Sequence, residues 1–426
     1  MNTKVAKILV AAVLVLGFNI SASAKTREYS LLIDKQTVSI AGQPLKRITL
    51  NGKIPGPTLE FTDGDEAVIH VTNKMKEASS VHWHGLLLPG EMDGVPHFNG
   101  FPGIGPGETF TYRFNIRQDG TYWYHAHSMA QEQDGHYGSI VIHPKEHNGI
   151  QADCDYVVLL SDFHEDEGRT IISNLKKSSE YYVYVRRTLG DFFTSAKKDG
   201  FGKAWKKSKM WGQMRMLPTD LADISNYTFL INGKTSDQNW FGLFKFGEKV
   251  RLRFINASAM SFFDVRIPNL KMTIVAADGQ PVEPVLVDEF RFGVAETYDV
   301  IVEPKEDIAY TIAAESIDRT GFALATLAPR KNMRNDRPKH RPISLLTMAD
   351  MGMSHAMEGM DHGKEMTGMG HGKTNDIPHT MSHSADPTIA TSSPAEDFIT
   401  GVPGSGWANT NTPIGQKALS YRSSEK

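Results

Sequence analysis

Two short stretches carry histidine at alternate positions: "VHWHG" at residues 81–85 and "YWYHAHS" at residues 122–128. Side chains i and i+2 of a strand share one face, so His82 and His84 should project together, and so should His125 and His127. Neutral imidazole is the commonest side-chain ligand for copper, zinc and iron. One His-x-His pair can also be two half-buried histidines bonded to backbone. A second pair, again after an aromatic extended run, is hard to explain by packing, and the first chemistry to consider is metal binding.

The elements that must position these residues read as strands and turns. From Arg27 to about His147 the runs "EYSLLIDKQTVSI", "KRITLNG", "AVIHVTN", "TFTYRFNI", "GTYWYHAH" and "YGSIVIHP" alternate with "KIPGPT", "TDGDE", "PGIGPGE" and "RQDG". That texture predicts a Greek-key β-sandwich over residues 25–148. A second strand-rich set, from "DYVVLLSDF" to "AYTIAAES", predicts another over residues 149–330. The fold class is therefore all-β, two tandem sandwiches, with a helical insertion at 171–215. That insertion has eleven Lys and Arg against three acidic residues, and aromatics such as Tyr181, Tyr182, Trp205 and Trp211. No nucleic-acid motif accompanies it, so a solvated helical excursion is expected rather than a nucleic-acid surface.

Residues 1–24 place Lys4 and Lys7 before the apolar run Ile8 to Phe18 and then Ala22-Ser23-Ala24. This is the pattern of a cleavable secretory signal peptide, with an apolar run too short to span a bilayer. The mature chain is expected to begin near Lys25 and to reach a bacterial periplasm. No later stretch predicts a membrane span. Cys154 is the single cysteine, so no intramolecular disulfide is available. A formal net charge of -3 gives no global attraction to nucleic acid or anionic membrane.

Residues 331–426 predict a linker and disordered tail. Within it, residues 348–384 hold eight Met and five His with almost no other large apolar residue. Soft thioether suits Cu(I) and imidazole suits Cu(II), so Met348, Met351, Met353, Met357, Met360, Met366 and Met369, with His355, His362 and His371, are candidate copper contacts. A low-complexity linker is the plainer alternative.

The neighbours of the His pairs discriminate among metal classes. A cupin would place a glutamate soon after the first pair, where Leu88 and Pro89 stand, and a metallo-β-lactamase-type site would follow His84 with Asp-His, where Gly85-Leu86-Leu87 stand. A structural zinc site would close its own tetrahedron, usually with cysteine. What "HWHG", "MDGVP", "PGETFTYRF", "GTYWYHAHS" and "GSIVI" resemble is the first cupredoxin domain of multicopper oxidases, and residues 26–330 resemble domains one and two of the copper-resistance (CopA-type) branch. The resemblance implies that His82 is a type 2 copper ligand and that His84, His125 and His127 are type 3 ligands. It likewise implies that Asp93 relays protons near the cluster, although a turn aspartate remains the plainer reading.

Two further motifs of that family, HxxHxH and HCHxxxH, occur nowhere in the 426 residues, and Cys154 has no histidine beside it. The expectation is a chain with partial type 2 and type 3 sites and no type 1 site, its third domain missing through truncation, frameshift, a split gene or a partial sequence. The complete enzyme would couple oxidation of Cu(I) or phenolic compounds to reduction of O2, with copper ions and a separately encoded third cupredoxin domain as partners. The non-enzymatic alternative is a periplasmic protein that binds and sequesters copper.

Overall fold

The computed structural model describes residues 25–146, 150–184, 188–214, 217–219, 221–343 and 345–347. The expected signal peptide and the Met- and His-rich segment lie outside the described residues. Strands β1 (Thr26–Ile40), β2 (Gln43–Leu50), β4 (Glu66–Asn73) and β6 (Thr109–Asn115) form one sheet in the order β2-β1-β4-β6. Strands β3 (Leu59–Thr62), β5 (His82–His84), β7 (Gly120–His125) and β8 (Tyr137–His143) form a second in the order β3-β8-β7-β5. Alternation explains how they pack: Ala67, Ile69 and Val71 of β4 are fully buried, while His70 between them points outward to Glu28 and Thr111. Tyr112 and Phe114 of β6 join that core, and Phe61, Trp83, Tyr124 and Ile140 meet it from the other sheet.

β7 departs from one-sided burial, since all six of its residues are buried. Tyr122 and Tyr124 enter the first core, and Trp123, on the opposite face, packs with Leu159, Ile255 and Ala257 of the second half. The face that carries His125 is thus covered by protein along most of the strand.

The second half comprises β9 (Cys154–Phe163), β10 (Thr228–Ile231), β11 (Trp240–Leu243), β12 (Val250–Asn256), β13 (Phe263–Arg266) and β14 (Met272–Ala277). It continues with β15 (Gln280–Val287), β16 (Glu289–Phe292), β17 (Thr297–Val302), β18 (Tyr310–Ser316) and β19 (Phe322–Ala328). They form a six-stranded sheet, β10-β9-β12-β17-β14-β15, and a five-stranded sheet, β11-β19-β18-β13-β16, around one apolar core. β12 anchors the first half through its polar face: Arg253 donates to Thr121 Oγ1 at 2.9 Å, and Thr121 donates to Asp299 at 2.6 Å.

The insertion is helical. α1 (Gly168–Lys177) starts three residues before the expected boundary and buries Ile171 and Asn174, whose amide donates to Tyr182 Oη. α2 (Leu189–Asp199) opens with a capping box between Thr188 and Asp191, and Gly200, at φ 89°, turns the chain into α3 (Phe201–Met214). The sheets and α1 belong to one compact unit. α2, α3 and residues 217–219 and 345–347 belong to another, within which the Leu346 amide donates to the Pro218 carbonyl at 2.7 Å. Of the residues expected to begin a linker, Asp336 to Arg341 are fastened to the second half: Thr311 donates to the Asp336 carbonyl, and Glu315 accepts from the Arg341 amide and faces His340 Nδ1 at 3.2 Å. Among the described residues no helix is long and apolar enough to cross a membrane.

Candidate metal centre

β5 pairs antiparallel with β7 so that His82 stands opposite His125 and His84 opposite Trp123. Residues opposite one another share a face, so pairing and alternation together bring three imidazoles onto one surface while Trp83 enters the core. One ring nitrogen from each of His82, His84 and His125 lies within 4.8 Å of the others. His127 follows the end of β7; its ring centroid is 4.7 Å from that of His82 and 5.0 Å from that of His125. The structure therefore brings together all four histidines singled out from the sequence, with His127 the exposed member.

Hydrogen bonds fix which nitrogens are free. His82 Nδ1 is 2.8 Å from the Asp93 carbonyl, which can only accept, so the proton sits on Nδ1 and Nε2 keeps its lone pair. His125 Nδ1 donates to Glu132 Oε2 at 2.8 Å, leaving Nε2 to face His84 Nδ1 at 3.3 Å. Trp123 stacks on the His125 ring at 4.0 Å with 9° between planes, and the His84 ring lies 5.1 Å from the same indole with 30° between planes. These contacts hold the rings before any ligand arrives.

Burial disfavours the charged form of three of the rings, His84, His125 and His127. Desolvation, then the neighbouring His125, His82 and His127, pushes His84 down to about 3, and desolvation followed by His82 does the same to His125. His127 is lowered by burial first and then by His125 and His82. Burial raises Glu132 to about 7 against the opposing pull of His127 and His82. Imidazoles whose ring nitrogens converge, two of them with Nδ1 tied outward to an oxygen, form a cation-binding donor set, and its all-nitrogen chemistry fits copper.

Asp93, the candidate proton relay, sits behind His82, its Oδ1 3.4 Å from Nδ1. The following residue, Gly94, has φ 80°, and a Cβ there would lie 1.8 Å from the Val81 carbonyl oxygen, so only glycine lets the Asp93 turn lie this close to β5. Cys154 is remote from this chemistry: it opens β9, and its Sγ donates to Glu248 at 3.4 Å. The Met and His residues proposed as copper contacts between Met348 and His371 lie outside the described residues.

Sequence reasoning missed Glu132 and the platform role of Trp123. Trp123 was legible in principle, because it precedes His125 by two and must share its face. Glu132 lies in a turn after the strand, where no periodicity assigns a direction.

Comparison with known proteins agrees with this geometry. Residues 32–147 and 155–332 each match a multicopper oxidase family profile. Copper resistance protein A of Escherichia coli is 49% identical over 359 residues, covering 83% of this chain and 59% of the relative. The Copper resistance protein A homolog of Pseudomonas syringae pv. tomato is 47% identical over 364 residues, covering 85% of this chain and 58% of the relative. The chain thus spans less than two thirds of the length of these relatives. Among solved structures, the laccase from Botrytis aclada superposes with a TM-score of 0.56 at 26% identity, covering 75% of this chain and 55% of that one. Fet3p, a multicopper oxidase that functions in iron import, superposes with a TM-score of 0.58 at 22% identity, covering 77% of this chain and 57% of that one, a likeness of fold alone. With both halves matched by family profiles and nearly half of the residues shared with copper resistance protein A, the chain belongs to the copper-resistance branch of the multicopper oxidases, oxidoreductases of the cupredoxin fold.

Proposed function

We propose that His82, His84, His125 and His127 supply four of the eight histidines of a trinuclear copper cluster in an exported copper-resistance oxidase that oxidises Cu(I) or phenolic compounds with O2. The observation that carries this reading is the convergence of three ring nitrogens within 4.8 Å, with His82 and His125 each held through Nδ1 by an oxygen. Bound copper would supply one-electron chemistry toward O2. The chain's own residues do the positioning. Asp93 keeps the proton of His82 on Nδ1, and Glu132 does the same for His125, so that both Nε2 atoms face the cluster. Glu132, pushed to about 7, exchanges a proton near neutral pH beside the ligands, and the Asp93 carboxylate lies one hydrogen bond from the His82 proton. The remaining ligands and the type 1 thiolate are to come from a further cupredoxin unit, because HxxHxH and HCHxxxH are absent from these 426 residues. The apolar run and small-residue site at the N-terminus support a periplasmic location.

The test loads residues 25–426 with copper and measures absorbance and O2 uptake with Cu(I) and with a phenol. By themselves these residues should show neither an intense blue thiolate band nor sustained O2 uptake. Adding the type 1 copper cupredoxin unit of a copper-resistance relative should give both, and a chain carrying His84→Ala and His125→Ala should fail to support O2 uptake. Blue colour and turnover from residues 25–426 alone would contradict the proposal. Copper retained by the histidines with no rescue in trans would favour the sequestration reading instead.

A further inference from the structure

The α2–α3 hairpin shows more apolar surface than it buries. Leu189, Phe193, Phe201 and Trp205 are 79, 62, 61 and 60% exposed. Phe201 and Trp205 lie four residues apart on one face of α3, their rings parallel within 9° and 6.3 Å between centroids. Phe192 of α2 reaches both, at 5.7 and 6.3 Å, so the aromatic surface runs across both helices. Single exposed apolar residues are ordinary, whereas a contiguous aromatic cluster rimmed by charge marks an interaction surface. The hairpin around it is basic, with exposed Lys197, Lys198, Lys203, Lys206, Lys207 and Lys209 against Asp191 and Asp199.

The occupant is indicated by chain path, charge and side-chain chemistry. The Leu346 amide bonds the Pro218 carbonyl, so the chain that leaves the hairpin and the chain about to enter the Met- and His-rich segment are tied together two residues before Met348. That segment has the opposite sign, with Asp350, Glu358, Asp361, Glu365 and Asp376 against Lys364 and Lys373. It also carries eight methionines, whose polarisable sulfur packs well on aromatic rings. We propose that residues 348–384 dock on the aromatic face of the lysine-rich α2–α3 hairpin. A tether this short holds the segment at an effective concentration in the millimolar range, so individually weak Met–aromatic and Lys–carboxylate contacts suffice. The docking would hold the thioethers at one surface of the chain. It depends on no copper site.

Two measurements on residues 25–426 test this. Trypsin cleavage at Lys364 and Lys373 should run about tenfold faster when Phe201→Ser and Trp205→Ser are combined, and also when Lys206→Glu and Lys207→Glu are combined, because cleavage follows the population of the undocked segment. Circular dichroism should show the helices retained. In the unmodified chain, zero-length carbodiimide coupling should join Lys203, Lys206, Lys207 or Lys209 to Glu358, Asp361 or Glu365 within a monomer, a readout independent of whether the variants fold. Unchanged cleavage together with no such crosslink overturns the proposal. Crosslinks formed only between two chains would assign the face to a second copy and overturn it. Binding of phosphatidylglycerol vesicles through Trp205 with no crosslink to the segment would assign it to a lipid surface and likewise overturn it.

Discussion

Two regions of the sheet-bearing unit bury polar groups for opposite ends. On β5 and β7 of the first half, His82 and His125 each have Nδ1 fixed by an oxygen, and His125 Nε2 faces His84 Nδ1 across the cluster. Around β13, β16 and β18 of the second half, carboxylates and guanidinium groups pair with one another. Asp264 receives Arg291 at 2.8 and 3.3 Å and Arg319 at 2.5 Å, and fully buried Glu315 receives Arg266 at 2.7 Å and the Arg341 amide at 3.0 Å. Burial would raise Asp264, but Arg291 and Arg319 prevail and hold it below the usual carboxylate value. Asp162 is likewise surrounded by donors, accepting from the amides of Ala259, Met260 and Ser261 and from the Ser261 hydroxyl, but with no guanidinium beside it among the described residues burial prevails and raises it. The difference separates structure from function: paired charges close a structural site, and convergent lone pairs leave a ligand site open.

The sharpest way to break the comparison is to remove a paired group. Asp264→Ala removes the nearest carboxylate from Arg319, 5% exposed, and from Arg291, and should cost about 3–5 kcal/mol in urea unfolding, with copper uptake of the folded fraction unchanged. A loss below about 1 kcal/mol would mean that the network is ornamental to stability. Glu132→Gln tests the other side, since it loosens the acceptor that orients His125. Copper affinity should fall about 10–100-fold, the range for partners of a metal-bound histidine, while unfolding free energy moves by less than about 1 kcal/mol. Equal losses in both variants would erase the distinction.

The smallest effect sharpens it. Glu296 accepts from the Gly293 amide at 2.7 Å, and burial raises it from 4.5 to about 7. The folded state then binds more protons than the unfolded chain between those values, so this group's contribution to stability falls as pH rises from about 4.5 to 7. Glu296→Gln should flatten that part of the pH profile and raise stability at pH 8 by about 1 kcal/mol, a discounted figure because the carboxyl is only partly buried. An unchanged slope would show that Glu296 does not titrate abnormally.

Much of this architecture was legible in the sequence, for identifiable reasons. β4, β6, β7 and β12 alternate or run apolar between Gly-, Pro- and Asp-marked turns, so their existence followed from pattern. β13 and β19 were harder, the first being four residues long and the second an alanine-rich run without strong strand formers. β15 was hidden by Pro281 and Pro284, tolerated because the strand lies at a sheet edge. "EFRFGVAETYDVIVEP" read as one stretch and divides at Gly293 and Ala295 into β16 and β17 of different sheets. At the metal centre, alternation placed each His pair on one face, but bringing the pairs together required the register of β5 on β7, which is a long-range property. Glu132 and the aromatic continuity between α2 and α3 depend on tertiary placement in the same way.

The most direct test of the central claim is copper titration of residues 25–426 beside the same chain carrying His82→Ala, His84→Ala and His125→Ala, with bound metal counted and Cu(II) nitrogen couplings read by pulsed electron paramagnetic resonance. Any copper held elsewhere in the chain is common to both proteins and cancels in the difference. The account predicts that the parent retains additional copper with couplings from more than one imidazole, and that the variant loses it while remaining folded. Equal copper content and identical nitrogen couplings in the two proteins would contradict the assignment of the histidine cluster as the metal centre.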